Sequence, residues 1–157
     1  FGSEGVTARL CIPAKFVRWT GHAGATADAP APVRDKSGRP LEGLRVLLVE
    51  DQFIIALDCE DMLTTLGARQ VDVCANVPEA LSLLSRTAPD LAILDVNLGS
   101  ETSEPVSHRL RELAVPFVFA TGYDDLAILG LAEAATLRKP YNLASLEAAL
   151  RRLLGSG

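Results

Sequence analysis

The chain has 157 residues, of which 48% are hydrophobic and 22% are charged, and its formal net charge is −5. This composition is typical of a soluble globular protein with one ordinary domain and additional chain. No apolar run is long enough to cross a membrane. Residues 1–43 carry six Lys/Arg and four Asp/Glu (+2), and residues 44–157 carry nine and sixteen (−7). An acidic domain argues against nucleic-acid binding, which requires neutralisation of phosphates. Three widely spaced cysteines indicate a reducing, cytoplasmic compartment and form no metal-binding motif.

The first 43 residues differ in composition from the rest of the chain. Residues 1–19 form a tail, in which residues 6–12 alternate as a strand would and end at Pro13. A lone strand is not stable without a partner sheet. Residues 20–43 are rich in Gly, Ala and Pro, which predicts a linker. The folded domain is therefore expected to span residues 44–154.

Within that domain, apolar runs alternate with amphipathic segments. Strands are predicted at 44–49, 70–75, 91–95, 115–120 and 134–138. Helices are predicted at 52–66, 78–86, 104–113, 124–133 and 143–154. Five β-α units of this kind indicate a parallel sheet with helices on both faces and right-handed connections.

Polar side chains stand where four of these strands end. Asp95 closes the apolar run 91–95, Glu50 and Asp51 follow the first strand, Thr121 follows the fourth, and Lys139 follows the fifth. Parallel strands bring their carboxyl ends to one edge of the sheet, where α/β proteins bind ligands. Three carboxylates in one place repel each other unless they share a cation. The pattern therefore predicts a Mg²⁺ site, because Mg²⁺ prefers oxygen ligands.

This set of groups suits phosphoryl transfer onto Asp95. A metal ion beside Asp95 lets an anionic phosphoryl group approach a carboxylate. Lys139 and the Thr121 hydroxyl supply a cation and a donor for its oxygens, and the product is an acyl phosphate.

Glu50-Asp51, Asp95, Thr121 and Lys139-Pro140 at these strand ends resemble the receiver domain of bacterial two-component response regulators. The resemblance covers about residues 44–154. It implies a flavodoxin-like α/β fold, a doubly wound (βα)5 receiver with sheet order 2-1-3-4-5. It also implies that Asp95 takes phosphate from a histidine kinase or a histidine phosphotransfer protein, and that Pro140 follows a cis peptide bond. The implied ligands are Glu50, Asp51, Asp95 and the Asn97 backbone carbonyl for Mg²⁺, with Thr121 and Lys139 for the phosphoryl group.

The segment 119–123, Phe-Ala-Thr-Gly-Tyr, resembles an alphaproteobacterial receiver subgroup that also occurs fused to HWE/HisKA2-type kinases. Residues 5–13 resemble the closing strand of a kinase ATP-binding domain, which would make this chain the C-terminal receiver of a hybrid kinase. One position departs from the family pattern, because Thr136 replaces the aromatic residue three positions before Lys139. Switching is therefore expected to involve Gly122 and Tyr123 instead.

The sequence also leaves other functions of this site open. A haloacid-dehalogenase-type phosphatase also uses a strand-end Asp and Mg²⁺, but it carries a second Asp where this chain has Asn97. A pseudo-receiver that serves only for interaction requires a broken acceptor site. No phosphate-binding glycine motif supports a nucleotide-binding module. The domain is expected to be a phosphoacceptor rather than a turnover enzyme, and a homodimer is one option for its assembly.

Overall fold

Five parallel strands form the central sheet of the protein, which a computed structural model describes over residues 38–122 and 135–155. The five strands of this sheet are β1 (Arg45–Val49), β2 (Gln70–Cys74), β3 (Leu91–Asp95), β6 (Phe117–Thr121) and β7 (Thr136–Arg138). Two further short strands, β4 (Asn97–Leu98) and β5 (Glu101–Thr102), pair with each other. The helices are α1 (Phe53–Thr65), α2 (Val77–Arg86), α3 (Glu104–Glu112) and α4 (Leu143–Gly155). The sheet order is β2-β1-β3-β6-β7, and every neighbouring pair is parallel.

This architecture confirms the predicted flavodoxin-like fold. The observed order equals the predicted 2-1-3-4-5 once the two-residue strands β4 and β5 are set aside. Each predicted element within the described residues occurs within two residues of its predicted bounds. The helix predicted at 124–133 and the strand predicted at 6–12 lie outside the described residues.

Successive side chains of each central strand point to opposite faces of the sheet, so the hydrophobic core has two layers. In β1, Val46 and Leu48 face α1 and α4, whereas Leu47 and Val49 face α2 and α3. The strand β3 repeats the pattern, and all five of its residues are buried. Because helices cover both faces of the sheet, the central strand β3 is apolar from Leu91 to Leu94, as expected for a parallel sheet.

Local sequence signals fix the ends of several helices. The Asn76 side chain accepts a hydrogen bond from the Glu79 amide at 2.9 Å, and Asn142 caps α4 in the same way through the Ser145 amide at 3.0 Å. Such caps satisfy backbone donors that the first turn of a helix leaves unpaired. Gly67 follows α1 with a φ of +100°, a conformation that glycine adopts without steric cost.

Two features of the structure differ from the predictions made from the sequence. The segment after β3, for which no strand was predicted, contains the antiparallel hairpin β4–β5, with Gly99 at a φ of +66° in its turn. In addition, Leu41 lies within the predicted linker but is fully buried, and its amide donates to the Leu66 carbonyl at 3.1 Å. The packed structure therefore begins before the predicted boundary at Leu44. Among the described residues, no helix is both long and apolar enough to cross a membrane.

Candidate functional site at the carboxyl edge of the sheet

The carboxyl edge of the sheet gathers three acidic side chains. Glu50 follows β1 and is 2% exposed, Asp95 ends β3 and is 5% exposed, and the adjacent Asp51 is exposed. One carboxylate oxygen from each lies within 4.8 Å of the other two. The parallel pairing of β1 with β3 places the ends of these strands side by side. Two of the three carboxylates are thus held away from water, where a negative charge requires compensation.

Lys139 supplies that compensation in the structure. Its ammonium nitrogen lies 2.6 Å from Glu50 Oε2 and 2.8 Å from Asp95 Oδ2. The Lys139 amide also donates to the Thr121 carbonyl at 2.8 Å, which ties the end of β7 to the end of β6. One cation therefore bridges the two buried carboxylates.

The electrostatics of this bridge follow from burial and pairing. Burial raises the pKa of Glu50, and the nearby Asp95 charge adds to this, outweighing the opposing bond from Lys139. Burial lowers the pKa of Lys139, but its hydrogen bonds to Asp95 and Glu50 outweigh that effect and raise the pKa above its ordinary value. Lys139 thus stays protonated at neutral pH.

The remaining predicted site residues lie around this bridge. The Thr121 hydroxyl is fully buried and has no hydrogen-bond partner among the described residues. The Asn97 amide approaches Asp95 Oδ1 at 3.4 Å, and the Lys139–Pro140 peptide bond is cis. Gly122 is partly exposed after β6, whereas Tyr123 lies outside the described residues. Thr136 is paired with Phe119 across β6 and β7.

The acidic cluster fits a hard divalent cation. All three donors are carboxylate oxygens, the ligand class that Mg²⁺ takes, and the exposed Asp51 opens the cluster to water. The hairpin turn lies close to Asp51, because a Cβ added to Gly99 would stand 3.6 Å from Asp51 Oδ2. The backbone that follows β3 therefore lies beside Asp51 of the cluster.

Sequence reasoning did not identify the apolar rim of this edge. Phe53, Ile54 and Leu57 in the first turns of α1 are 71%, 75% and 46% exposed. The signal was present in the sequence, since Phe53, Ile54, Ile55 and Leu57 cannot all face the core of one helix.

Comparisons with known proteins identify the family of this chain. The sequence model of the response regulator receiver domain matches residues 46–151. The chain belongs to the response regulator receiver family. Among curated proteins, the receiver domain is similar to the phyllosphere-induced regulator PhyR of Methylorubrum extorquens, with 29% identity over 128 residues, 76% of this chain and 48% of PhyR. The chain spans about half the length of the curated relatives it matches.

Solved structures of other proteins share the fold. SdrG of Sphingomonas melonis Fr1 is 36% identical with a TM-score of 0.62, covering 71% of this chain and 97% of SdrG. The receiver domain of a Pseudomonas aeruginosa sensor histidine kinase is 27% identical with a TM-score of 0.60, covering 72% of this chain and 98% of that one. That structure has a magnesium ion coordinated in its active-site cleft.

Proposed function

We propose that this receiver domain is the phosphoacceptor of a two-component phosphorelay and that Asp95 carries the phosphoryl group. The observation that supports this most directly is the position of Asp95. It is nearly buried at the end of β3, 2.8 Å from the Lys139 ammonium and within reach of two further carboxylates. A strand-end carboxylate with a cation at hydrogen-bond distance is suited to nucleophilic attack on phosphorus.

The proposed reaction uses the side chains in distinct roles. An Asp95 carboxylate oxygen attacks the phosphorus of a phosphohistidine, forming an O–P bond as the N–P bond breaks. The imidazole nitrogen of the donor keeps the electron pair and takes up a proton. Lys139 then moves its contact from Asp95 to a phosphoryl oxygen, and the buried Thr121 hydroxyl donates to another.

We further propose that Glu50, Asp51 and Asp95, with the Asn97 carbonyl, hold Mg²⁺. Bound Mg²⁺ would neutralise negative charge as the phosphoryl group approaches. The donors are a histidine kinase or a histidine phosphotransfer protein, by analogy with the family. We also propose that the receiver is a member of the Phe-Ala-Thr-Gly-Tyr subgroup and that it is the C-terminal part of an HWE/HisKA2-type hybrid kinase.

The test is phosphorylation by a small phosphodonor with Mg²⁺, read by intact-mass spectrometry. The wild-type chain should gain the mass of one phosphoryl group, and Asp95→Asn should gain none because the nucleophile is lost. Asp58→Asn, on the exposed side of α1, is the matched control and should label like wild type.

The same assay separates the alternative functions. Continuous release of phosphate without a labelled protein would indicate a phosphatase. No labelling of the wild-type chain would indicate an interaction module. Equal labelling of Asp95→Asn and wild type would show that the acceptor is elsewhere.

A further inference from the structure

The exposed side of α1 carries an apolar surface next to the candidate site. Phe53, Ile54 and Leu57 form it, at spacings of three and four residues that place them on one face of the helix, and we call this surface the α1 patch. The two other large exposed apolar side chains among the described residues, Val73 and Leu143, lie on other elements. Three neighbouring apolar side chains in water favour an occupant that removes them from solvent.

The charge around the α1 patch restricts the chemistry of that occupant. Residues 50–68 contain five Asp/Glu and no Lys or Arg. Asp58 and Asp61 are exposed and lie four residues after Ile54 and Leu57, so the acidic side chains continue the same helix face. An occupant of this surface therefore has to combine apolar side chains with positive charge.

We propose that residues 14–19 of this chain, Ala-Lys-Phe-Val-Arg-Trp, dock on the α1 patch. This segment has three large apolar side chains, Phe16, Val17 and Trp19, between which stand the cations Lys15 and Arg18. No acidic residue occurs from Gly5 to Ala27. The apolar side chains match the α1 patch, and the cations match Asp58 and Asp61.

The connection between segment and patch has the length that this docking requires. The chain enters the described structure at Gly38, and Leu41 is bonded to Leu66 just past the end of α1. The patch lies at the other end of that helix, which at 13 residues is about 20 Å long. The segment 20–37 has 18 residues, and a flexible chain of that length has a root-mean-square span of about 25 Å.

Because this span and the distance to the α1 patch agree, a flexible tether of this length would give the segment an effective concentration of about 1 mM at the α1 patch. Docking of this kind needs only weak intrinsic affinity. It covers the rim of the carboxyl edge, since α1 begins three residues after Glu50. A protein that approaches this edge along α1 would have to displace the segment. The docking itself does not depend on the proposed phosphoacceptor function.

Trp19 reports on the docking directly, because it is the only tryptophan in the chain. In the full chain, acrylamide should quench Trp19 emission at least about twofold less strongly than in Ile54→Glu, corresponding to a mainly docked population. The emission maximum should also move to longer wavelength in that variant. Val73→Glu, at an exposed apolar position on β2, is the matched control and should quench like wild type. Equal quenching in wild type and Ile54→Glu overturns the proposal.

A charge exchange tests the same contact without altering the patch. Lys15→Glu with Arg18→Glu should release Trp19, and adding Asp58→Lys with Asp61→Lys should restore its protection. Failure of this restoration contradicts the charge pairing that the proposal requires. Protection of Trp19 should be independent of protein concentration. Loss of protection on dilution would assign the occupant to a second copy of the chain and would also overturn the proposal.

Discussion

The Lys139 bridge predicts how the receiver responds to loss of one positive charge. Lys139→Gln removes the ammonium group that contacts Glu50 at 2.6 Å and Asp95 at 2.8 Å. At an effective dielectric constant of about 20, each attraction amounts to about 6 kcal/mol before desolvation. Removing one partner of a buried ion pair costs about 3–5 kcal/mol after desolvation is included. The Lys139 side chain is 19% exposed, which places the expected loss near the lower value.

A loss of about 3 kcal/mol corresponds to a fall in melting temperature of roughly 10 °C for a domain of this size. The measurement is thermal unfolding followed by circular dichroism at neutral pH without divalent cations. Lys139→Arg keeps the charge and is the matched control, with a smaller fall. Added Mg²⁺ should stabilise Lys139→Gln more than wild type, because the ion supplies the missing positive charge and displaces no lysine.

The pH dependence of this loss has a definite sign. Burial already raises the pKa of Glu50, and without the cation this carboxyl becomes harder still to ionise in the folded state than in the unfolded chain. The penalty is therefore present where Glu50 is ionised, and it shrinks as the pH falls and Glu50 takes up a proton. The difference in melting temperature between Lys139→Gln and wild type should decrease from pH 7 to pH 5. A constant difference, or unchanged stability at pH 7, would refute the role assigned to the bridge.

Further predictions concern the metal, the tail, the thiols and the switch. Asp51→Asn should weaken Mg²⁺ binding about tenfold or more, equivalent to about 1.4 kcal/mol, measured by NMR titration; unchanged affinity would exclude it as a ligand. Deleting residues 1–37 should change the melting temperature by a few degrees at most, a scale of about 1 kcal/mol, and a large loss would show essential packing. Cys59 and Cys74 are buried, and burial raises the pKa of each to about 11, so in the folded chain both should resist a thiol reagent at neutral pH and react only on unfolding. Gly122→Ala should reduce the NMR shift changes that beryllofluoride causes after β6 while phosphorylation persists; undiminished changes, or changes centred on β7, would contradict switching through this loop.

The sequence predicted those features that depend on local pattern. The apolar runs of β1 and β3 are long enough to be identified as strands. The alternation of strands with helices predicts a parallel sheet, and such a sheet brings Glu50 and Asp95 to one edge. The cap of α4 was likewise visible as Asn142 just before the predicted helix 143–154, whereas the cap of α2 by Asn76 was not predicted.

What the sequence did not predict depends on contacts between distant segments. Strands β4 and β5 have two residues each, too short for any periodicity to register. Leu41 stands among Gly and Pro and reads as linker, yet its contact with Leu66 buries it. Lys139 was expected at the site, but its simultaneous contact with Glu50 and Asp95 depends on the tertiary positions of three strand ends.

The entry of the chain into the domain has a practical consequence for building proteins from this receiver. Residues 38–44 are fixed to the amino edge of the sheet: Leu41 is held by Leu66, Gly43 by Gly67, and the Gly38 carbonyl accepts a bond from Arg151 at 2.7 Å. Asp95 lies at the opposite edge. A sensor, tag or enzyme joined directly at Gly38, in place of residues 1–37, is therefore attached at the edge of the sheet that lies away from Asp95. That replacement also removes the segment proposed to dock on the α1 patch, so a cassette built in this way would leave the carboxyl edge uncovered.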